Sequence, residues 1–280
     1  MRSFLIELAR VGGRIALEHY QQAGMQDRDA KGRGDYVSYV DRRVEDVIAT
    51  RIRSQYPDHR FLGEETHGDW PERVDGPCWL VDPIDGTTNY LRGIPYWAVS
   101  ICFCDADAVP RHAVVFDPLR SELFLAERGA GLWLNDQRVY AGRVERLHDA
   151  VFAGALPFRT RAAMDDVAQV LFDLQRDCDD FRRCGAAALD LAYVAVGRLD
   201  AYWELGIQPW DTAAGELLVR AAGGVASDFR GSADGLLGRR SICAAGTAAV
   251  HEQLLERLTP LRRWLDDPLY RGVGGSASGV

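Results

Sequence analysis

Residues 78–89 read Cys78-Trp79-Leu80-Val81-Asp82-Pro83-Ile84-Asp85-Gly86-Thr87-Thr88-Asn89. The first four make a short apolar run suited to a buried strand. Pro83 fixes its own φ and pushes Asp82 toward extended backbone, so Asp82 stands at the strand's end. Asp85 follows three residues later, and Gly86 allows a backbone sign change that most side chains resist. An isolated Asp-Gly pair is an ordinary turn with an Asx cap. Here the turn follows a strand and delivers two acids and two hydroxyls, Thr87 and Thr88, to one small volume.

Upstream, Phe4, Leu8, Val11 and Ile15 recur in alternating steps of four and three, the stripe of an amphipathic helix over 3–22. Asp27–Gly34 is polar and glycine-containing and reads as a loop. Asp41 opens a second helix with Val44, Val47, Ile48 and Ile52 inward, and Pro57 ends it. Phe61-Leu62 then leads, as a short strand, into Gly63-Glu64-Glu65.

Downstream, Tyr96–Asp105 alternates as a strand. Residues 113–116 and 121–127, with turns at Asp117-Pro118 and Asn135-Asp136, extend it into an antiparallel meander. A strand at 150–156, helices at 162–176 and 186–196, and the alternating Leu199, Ala201 and Trp203 come next. A strong helix over Asp211–Ala222 closes at Gly223-Gly224, and a last helix covers about 247–265. Strands and helices interleave without repeat or linker, which predicts one mixed α/β layered sandwich over 1–268. The Gly/Ser-rich tail, 269–280, is expected to be disordered.

At 280 residues, 47% hydrophobic and 26% charged, the chain can bury a full core. Acids outnumber bases 41 to 33, and the net charge of −8 repels a nucleic-acid backbone. Direct nucleic-acid binding is therefore not expected. The six cysteines form no CxxC pair, so reduced thiols are expected, with Cys102 and Cys104 packed on one strand face. The six histidines lack zinc spacing. No stretch approaches a membrane span and no convincing secretory signal opens the chain, so a cytoplasmic location is expected.

Glu64, Asp82, Asp85 and Asp211 all stand at ends of expected elements. Taken singly, Asp211 and Asp41 read as helix caps and Glu64 as a solvated acid. Taken together, carboxylates about 4 Å apart repel by about 4 kcal/mol at an effective dielectric near 20. Such a cluster must be protonated, dispersed or neutralised by cations. All-oxygen ligands favour Mg²⁺, which would also reverse the local field and attract a phosphate.

At these residues the chain resembles the inositol monophosphatase family, most closely its bacterial inositol-1-monophosphatase branch. The resemblance rests on Asp82-Pro83-Ile84-Asp85-Gly86-Thr87-Thr88, Gly63-Glu64-Glu65 and Trp210-Asp211-Thr212-Ala213-Ala214, and covers about residues 5–260. It implies an αβαβα sandwich, a homodimer and Li⁺ sensitivity. It assigns one Mg²⁺ to Glu64, Asp82 and the Ile84 carbonyl, and a second to Asp82, Asp85 and Asp211. By the same resemblance Glu64 and Thr87 orient the attacking water and Asp41 hydrogen-bonds Thr87. Lys31 lies in a flap near the phosphate, and Gly86 and Thr87 offer backbone donors. Glu204 accepts from a substrate hydroxyl, and Gly185, Ala186 and Ala187 begin the helix against the sugar ring. Ala186 stands where many relatives have Ser or Thr, which removes a side-chain contact with substrate.

The implied activity is Mg²⁺-dependent hydrolysis of inositol 1-phosphate, a small phosphate ester. Fructose 1,6-bisphosphate, histidinol phosphate and a 3′-phosphoadenosine nucleotide are the alternatives with the same chemistry. A regulatory role in a transcription complex is the alternative of a different class.

Overall fold

Alternation along 78–82 sends side chains into two different cores, and that division places everything else. The structure is a computed structural model describing residues 1–22, 28–32, 35–65, 74–157 and 161–267; side chains at 28–32 and 35–37 lie outside that description. The expected disordered tail, 269–280, also lies outside it.

The chain begins with α1 (Arg2–His19), β1 (Arg28–Gly32), β2 (Asp35–Ser38) and α2 (Tyr39–Gln55). Next come β3 (Arg60–Gly63), β4 (Cys78–Asp85), α3 (Thr87–Leu91), β5 (Ala98–Cys104), β6 (Pro110–Asp117) and β7 (Glu122–Glu127). β8 (Gly131–Leu134), β9 (Gln137–Val139), β10 (Val151–Gly154), α4 (Met164–Asp177), β11 (Asp180–Arg182) and α5 (Ala187–Ala195) follow. The described chain closes with β12 (Ala201–Leu205), α6 (Pro209–Ala221), β13 (Val225–Ser227), β14 (Ser241–Ala245) and α7 (Ala248–Arg257).

Strands β3 to β9 form a seven-stranded sheet in sequence order, with β3 and β4 parallel and every later pair antiparallel. A second, five-stranded sheet is ordered β11-β10-β12-β14-β13. Trp79 and Val81 of β4 face a core shared with Leu5 and Leu8 of α1 and Val44 and Ile48 of α2. Cys78 and Leu80 face the other way, onto Leu189 and Ala192 of α5 and Leu217 and Leu218 of α6. That middle core continues to Tyr202, Ile242 and Ala244 of the five-stranded sheet. The opposite face of this sheet, with Phe152, Trp203 and Cys243, is covered by Val167 and Leu174 of α4 and Val250 and Leu254 of α7. The result is five layers, αβαβα, with α5 and α6 sandwiched between the sheets. Burial follows from that position: Pro209 through Val219 of α6 are all buried, where a surface helix would show one polar face.

The structure departs from the sequence reading in a few places. Within the expected loop 27–34, residues 28–32 pair with 35–38 as an antiparallel ribbon, Arg28 opposite Ser38. Composition conceals this pairing because a polar, glycine-containing stretch carries no strand periodicity. The last helix stops at Arg257 and a 3-10 segment, Thr259–Asp266, follows. Pro260 explains the break, since it lacks an N–H and its ring crowds the carbonyl four residues back. The short strands β11, β13 and β14 have too little β-branched or aromatic content for periodicity to reveal them. All six cysteines are free, and Cys102 Sγ lies 3.8 Å from Cys104 Sγ on one face of β5. Among the described residues no helix is long and apolar enough to cross a membrane.

Candidate active site

Because Cys78 and Leu80 face the middle layer, the pleat aims Asp82 there too. β4 continues past Asp82, and its register on β5 slips between Asp82 (opposite Ser100) and Asp85 (opposite Ala98). This bulge re-aims the end of the strand, and Pro83 suits a position with no ladder donor. The Ile84 N–H donates to Asp82 Oδ1 at 3.0 Å, which closes the Asx turn. Gly86 has φ 91° and begins α3; a side chain there would meet Ala186 Cβ, the Gly185 carbonyl and the Tyr96 carbonyl, each at 3.2 Å. Both strain and contact therefore restrict this position to glycine.

Helix α2 reaches the same turn from the opposite layer. Ser38 caps it in a capping box with Asp41: the Ser38 N–H donates to Asp41 Oδ2 at 3.0 Å, and Ser38 Oγ bonds the same oxygen. Thr87 Oγ1 lies 3.2 Å from Asp41 Oδ1 and 3.2 Å from the Ile84 carbonyl oxygen, and can donate its proton to either. Glu64 follows β3, its N–H donating to the Val81 carbonyl at 3.1 Å, so it lies beside the end of β4.

The middle layer supplies the remaining groups. Asp211 is the third residue of α6, where Gln208 caps the helix and donates its N–H to Asp211 Oδ2 at 3.1 Å. Asp85 accepts from the first residues of α5, Ala187 N–H at 3.2 Å and Ala188 N–H at 2.7 Å. That contact suits an anion at a helix N-terminus. On β12, the Tyr202 hydroxyl donates to Glu204 Oε2. Asn89 ties the wall together, giving Nδ2–H to the Tyr96 carbonyl at 2.8 Å and the Cys184 carbonyl at 2.9 Å.

These groups line a cleft of about 350 Å³. Glu64, Asp82, Ile84, Asp85, Gly86, Thr87, Gly185, Ala186, Ala187, Glu204 and Asp211 all border it. Asp41 stands behind Thr87, fully buried. Lys31 lies on β1 at the register slip between Ala30 and Gly32, and its side chain lies outside the described residues.

Glu64, Asp82 and Asp211 each offer an oxygen within 4.8 Å of the others. Asp85 borders the same cleft and couples electrostatically to Asp211, but is not in that trio. Burial, then Glu64, Asp85, Asp211 and Asp41, holds the Asp82 carboxyl well above the usual range. Asp85 is likewise raised, by burial first and by Asp211 next, against the pull of the Ala188 N–H. So costly a bare cluster, with oxygen donors and no imidazole or thiol in the trio, fits a hard divalent cation such as Mg²⁺.

Sequence reasoning missed the carboxylate at Asp190, which also borders the cleft. Burial raises its pKa to about 7, against hydrogen bonds from Tyr96 and Cys184, with Glu204 raising it further. Tyr96 Oη donates to its Oδ1 at 2.6 Å. An acid whose folded pKa is raised confers stability fully present below its unfolded pKa and lost as pH rises through the folded one. Asp190→Asn should therefore raise the melting temperature of the chain in EDTA, and by more at pH 8 than at pH 5. The extra gain is on the order of 2–3 kcal/mol at 1.36 kcal/mol per pH unit. Equal shifts at the two pH values, by calorimetry, would remove this acid from the account.

Comparison with known proteins bears on family and fold. A sequence model of the inositol monophosphatase family matches residues 1–263. The "Nus factor SuhB" of Escherichia coli strain K12 is 38% identical over 271 residues, which is 97% of this chain and 99% of that protein. The crystal structure of the extragenic suppressor protein suhB of Bartonella henselae superposes with a TM-score of 0.83 at 36% identity, covering 91% of this chain and 97% of that one. SaIMPase-II with inositol monophosphate bound superposes with a TM-score of 0.78 at 27% identity, covering 94% and 95%.

Proposed function

The chain belongs to the inositol monophosphatase family, and from that premise we propose that it hydrolyses inositol 1-phosphate in a Mg²⁺-dependent reaction. The observation that carries the reading is the convergence of Glu64, Asp82 and Asp211 within 4.8 Å, in a cleft that Glu204 also borders. Glu64, Asp82, the Ile84 carbonyl, Asp85 and Asp211 would hold the cations. Bound there, Mg²⁺ supplies the positive charge that draws a phosphate into an acid-lined cleft and offsets charge developing on the ester oxygens.

The chain's own groups do the rest. Thr87, when it gives its proton to Asp41, turns its lone pairs toward the cleft and can accept from a water that Glu64 also orients. The water oxygen bonds to phosphorus and gives up a proton, the phosphorus–oxygen ester bond breaks, and the departing inositol oxygen takes up a proton, leaving inositol and phosphate. Glu204, which accepts from the Tyr202 hydroxyl, would accept from a substrate hydroxyl as well, which favours a polyol. SaIMPase-II, of the same fold, binds inositol monophosphate. Lys31 would serve the phosphate from the β1–β2 ribbon, and the active form would be a homodimer.

Phosphate release from inositol 1-phosphate, fructose 1,6-bisphosphate, histidinol phosphate and a 3′-phosphoadenosine nucleotide, with and without Mg²⁺, tests the reading. The highest kcat/KM is expected for inositol 1-phosphate, with inhibition by Li⁺. Another ester ahead by tenfold would reassign the substrate, and release unaffected by EDTA would end the cation chemistry. Relatives named Nus factor support a regulatory role beside hydrolysis. A hydrolytically dead variant that still meets the cellular requirement would favour that role.

A further inference from the structure

Glu45 takes no part in the chemistry above, yet it is 0% exposed, as deeply buried as Asp41. It lies one helical turn beyond Asp41 on α2, so both carboxylates leave the same face of the helix. Asp41 reaches the turn that carries Thr87. Glu45 reaches the turn that carries Glu64: its Oε2 accepts the Glu65 N–H at 2.8 Å. One residue before Glu64, a Cβ placed on Gly63 would stand 2.3 Å from the Glu45 carboxyl carbon and 2.4 and 2.6 Å from its oxygens. The chain thus leaves β3 over a bare α-carbon pressed against a carboxylate, and is fastened to that carboxylate two residues later.

Packing alone does not account for an acid at this place. Val44, Ile48 and Ile52 on the same helix are all 0% exposed, and an apolar side chain would continue that stripe without burying a charge. Among the contacts such a side chain would lose is the one to the Glu65 N–H. We propose that Glu45 is a positioning residue. It fixes the Gly63–Glu64–Glu65 turn so that the Glu64 carboxylate is held toward Asp82 and Asp211 in a geometry that binds a divalent cation, and it requires glycine at 63. α2 thereby orients the site twice, through Asp41 for the water-side hydroxyl and through Glu45 for the ligand. The inference rests on the cation reading proposed above.

Mn²⁺ binding to the full chain, measured calorimetrically, is the test, with parent, Glu64→Gln, Glu45→Met, Glu45→Gln and Gly63→Ala compared. Glu45→Met should weaken binding by about 10–100-fold, the usual cost of losing a group that orients a metal ligand. Glu45→Gln keeps a carbonyl oxygen for the Glu65 N–H and should recover most of the affinity. Gly63→Ala keeps the acid but displaces its carboxylate, and should weaken binding as Glu45→Met does. Parent-like affinity in Glu45→Met, beside a weakened Glu64→Gln, overturns the positioning role alone. Parent-like affinity in Glu64→Gln overturns the cation reading itself. Equal loss in Glu45→Gln and Glu45→Met overturns the geometric argument in favour of charge. Should Glu45→Met fail to fold, Gly63→Ala decides the same point; should both fail, Glu45 is a scaffold group and the proposal falls.

Discussion

Asp82→Asn should melt higher than the parent in EDTA and release almost no phosphate in magnesium. The two effects have one cause. Asp82 is 1% exposed, and its carboxyl is pushed up by burial and by four surrounding acids. A pair of unit charges about 4 Å apart repels by about 4 kcal/mol at an effective dielectric near 20. Relieving even 1–2 kcal/mol of that moves the melting temperature by about 2–4 °C per kcal/mol in a chain of this size. A raised folded pKa means stability present at low pH and lost as pH rises through that value, so the gap between variant and parent should widen toward alkaline pH. With Mg²⁺ the order reverses, because the parent gains a bound cation and the variant lacks a central ligand. Loss of several kcal/mol of charge stabilisation corresponds to a rate lower by roughly 10³-fold or more. A variant that melts lower than the parent in EDTA at pH 8, or keeps a tenth of its rate, defeats the argument.

Thr87→Val should cost about 10²–10³-fold in kcat with little change in melting temperature, as expected when a hydroxyl that orients the attacking water is removed. Valine keeps the shape of threonine and removes the hydroxyl. Asp41 loses one donor but keeps the Ser38 N–H and hydroxyl, so the end of α2 stays satisfied. Thr87→Ser restores the hydroxyl and should recover most of the rate. KM for inositol 1-phosphate should move much less than kcat. A Thr87→Val enzyme within tenfold of the parent would assign water orientation to Glu64 alone.

The site was more legible in the sequence than its support. Asp82, Asp85 and Gly86 announce themselves because a strand, a proline and a glycine fix their backbone within five residues. Asp211 follows from a helix start. By contrast, the capping box of Ser38 and Asp41 hides in Ser38-Tyr39-Val40-Asp41, where the apolar period does not begin cleanly. Glu45 looks like a solvated helical acid until α2 is seen lying on β3 and β4. Asp190, in Ala188-Leu189-Asp190-Leu191, could be suspected only because an acid interrupts an otherwise apolar run. Both owe their burial to elements distant in sequence. Strand β14 escaped because Ser241-Ile242-Cys243-Ala244-Ala245 draws its stability from two neighbours and two covering layers, with little from its own side chains.

Every strand of the large sheet lies between residues 60 and 139, and every strand of the small one between 151 and 245. One crossing of the backbone near residue 145 therefore divides the candidate ligands: Glu64, Asp82 and Asp85 fall on one side of it and Asp211 on the other. Each portion by itself carries an incomplete set of the candidate donors. The ion they are expected to share would tie the two portions together across that crossing.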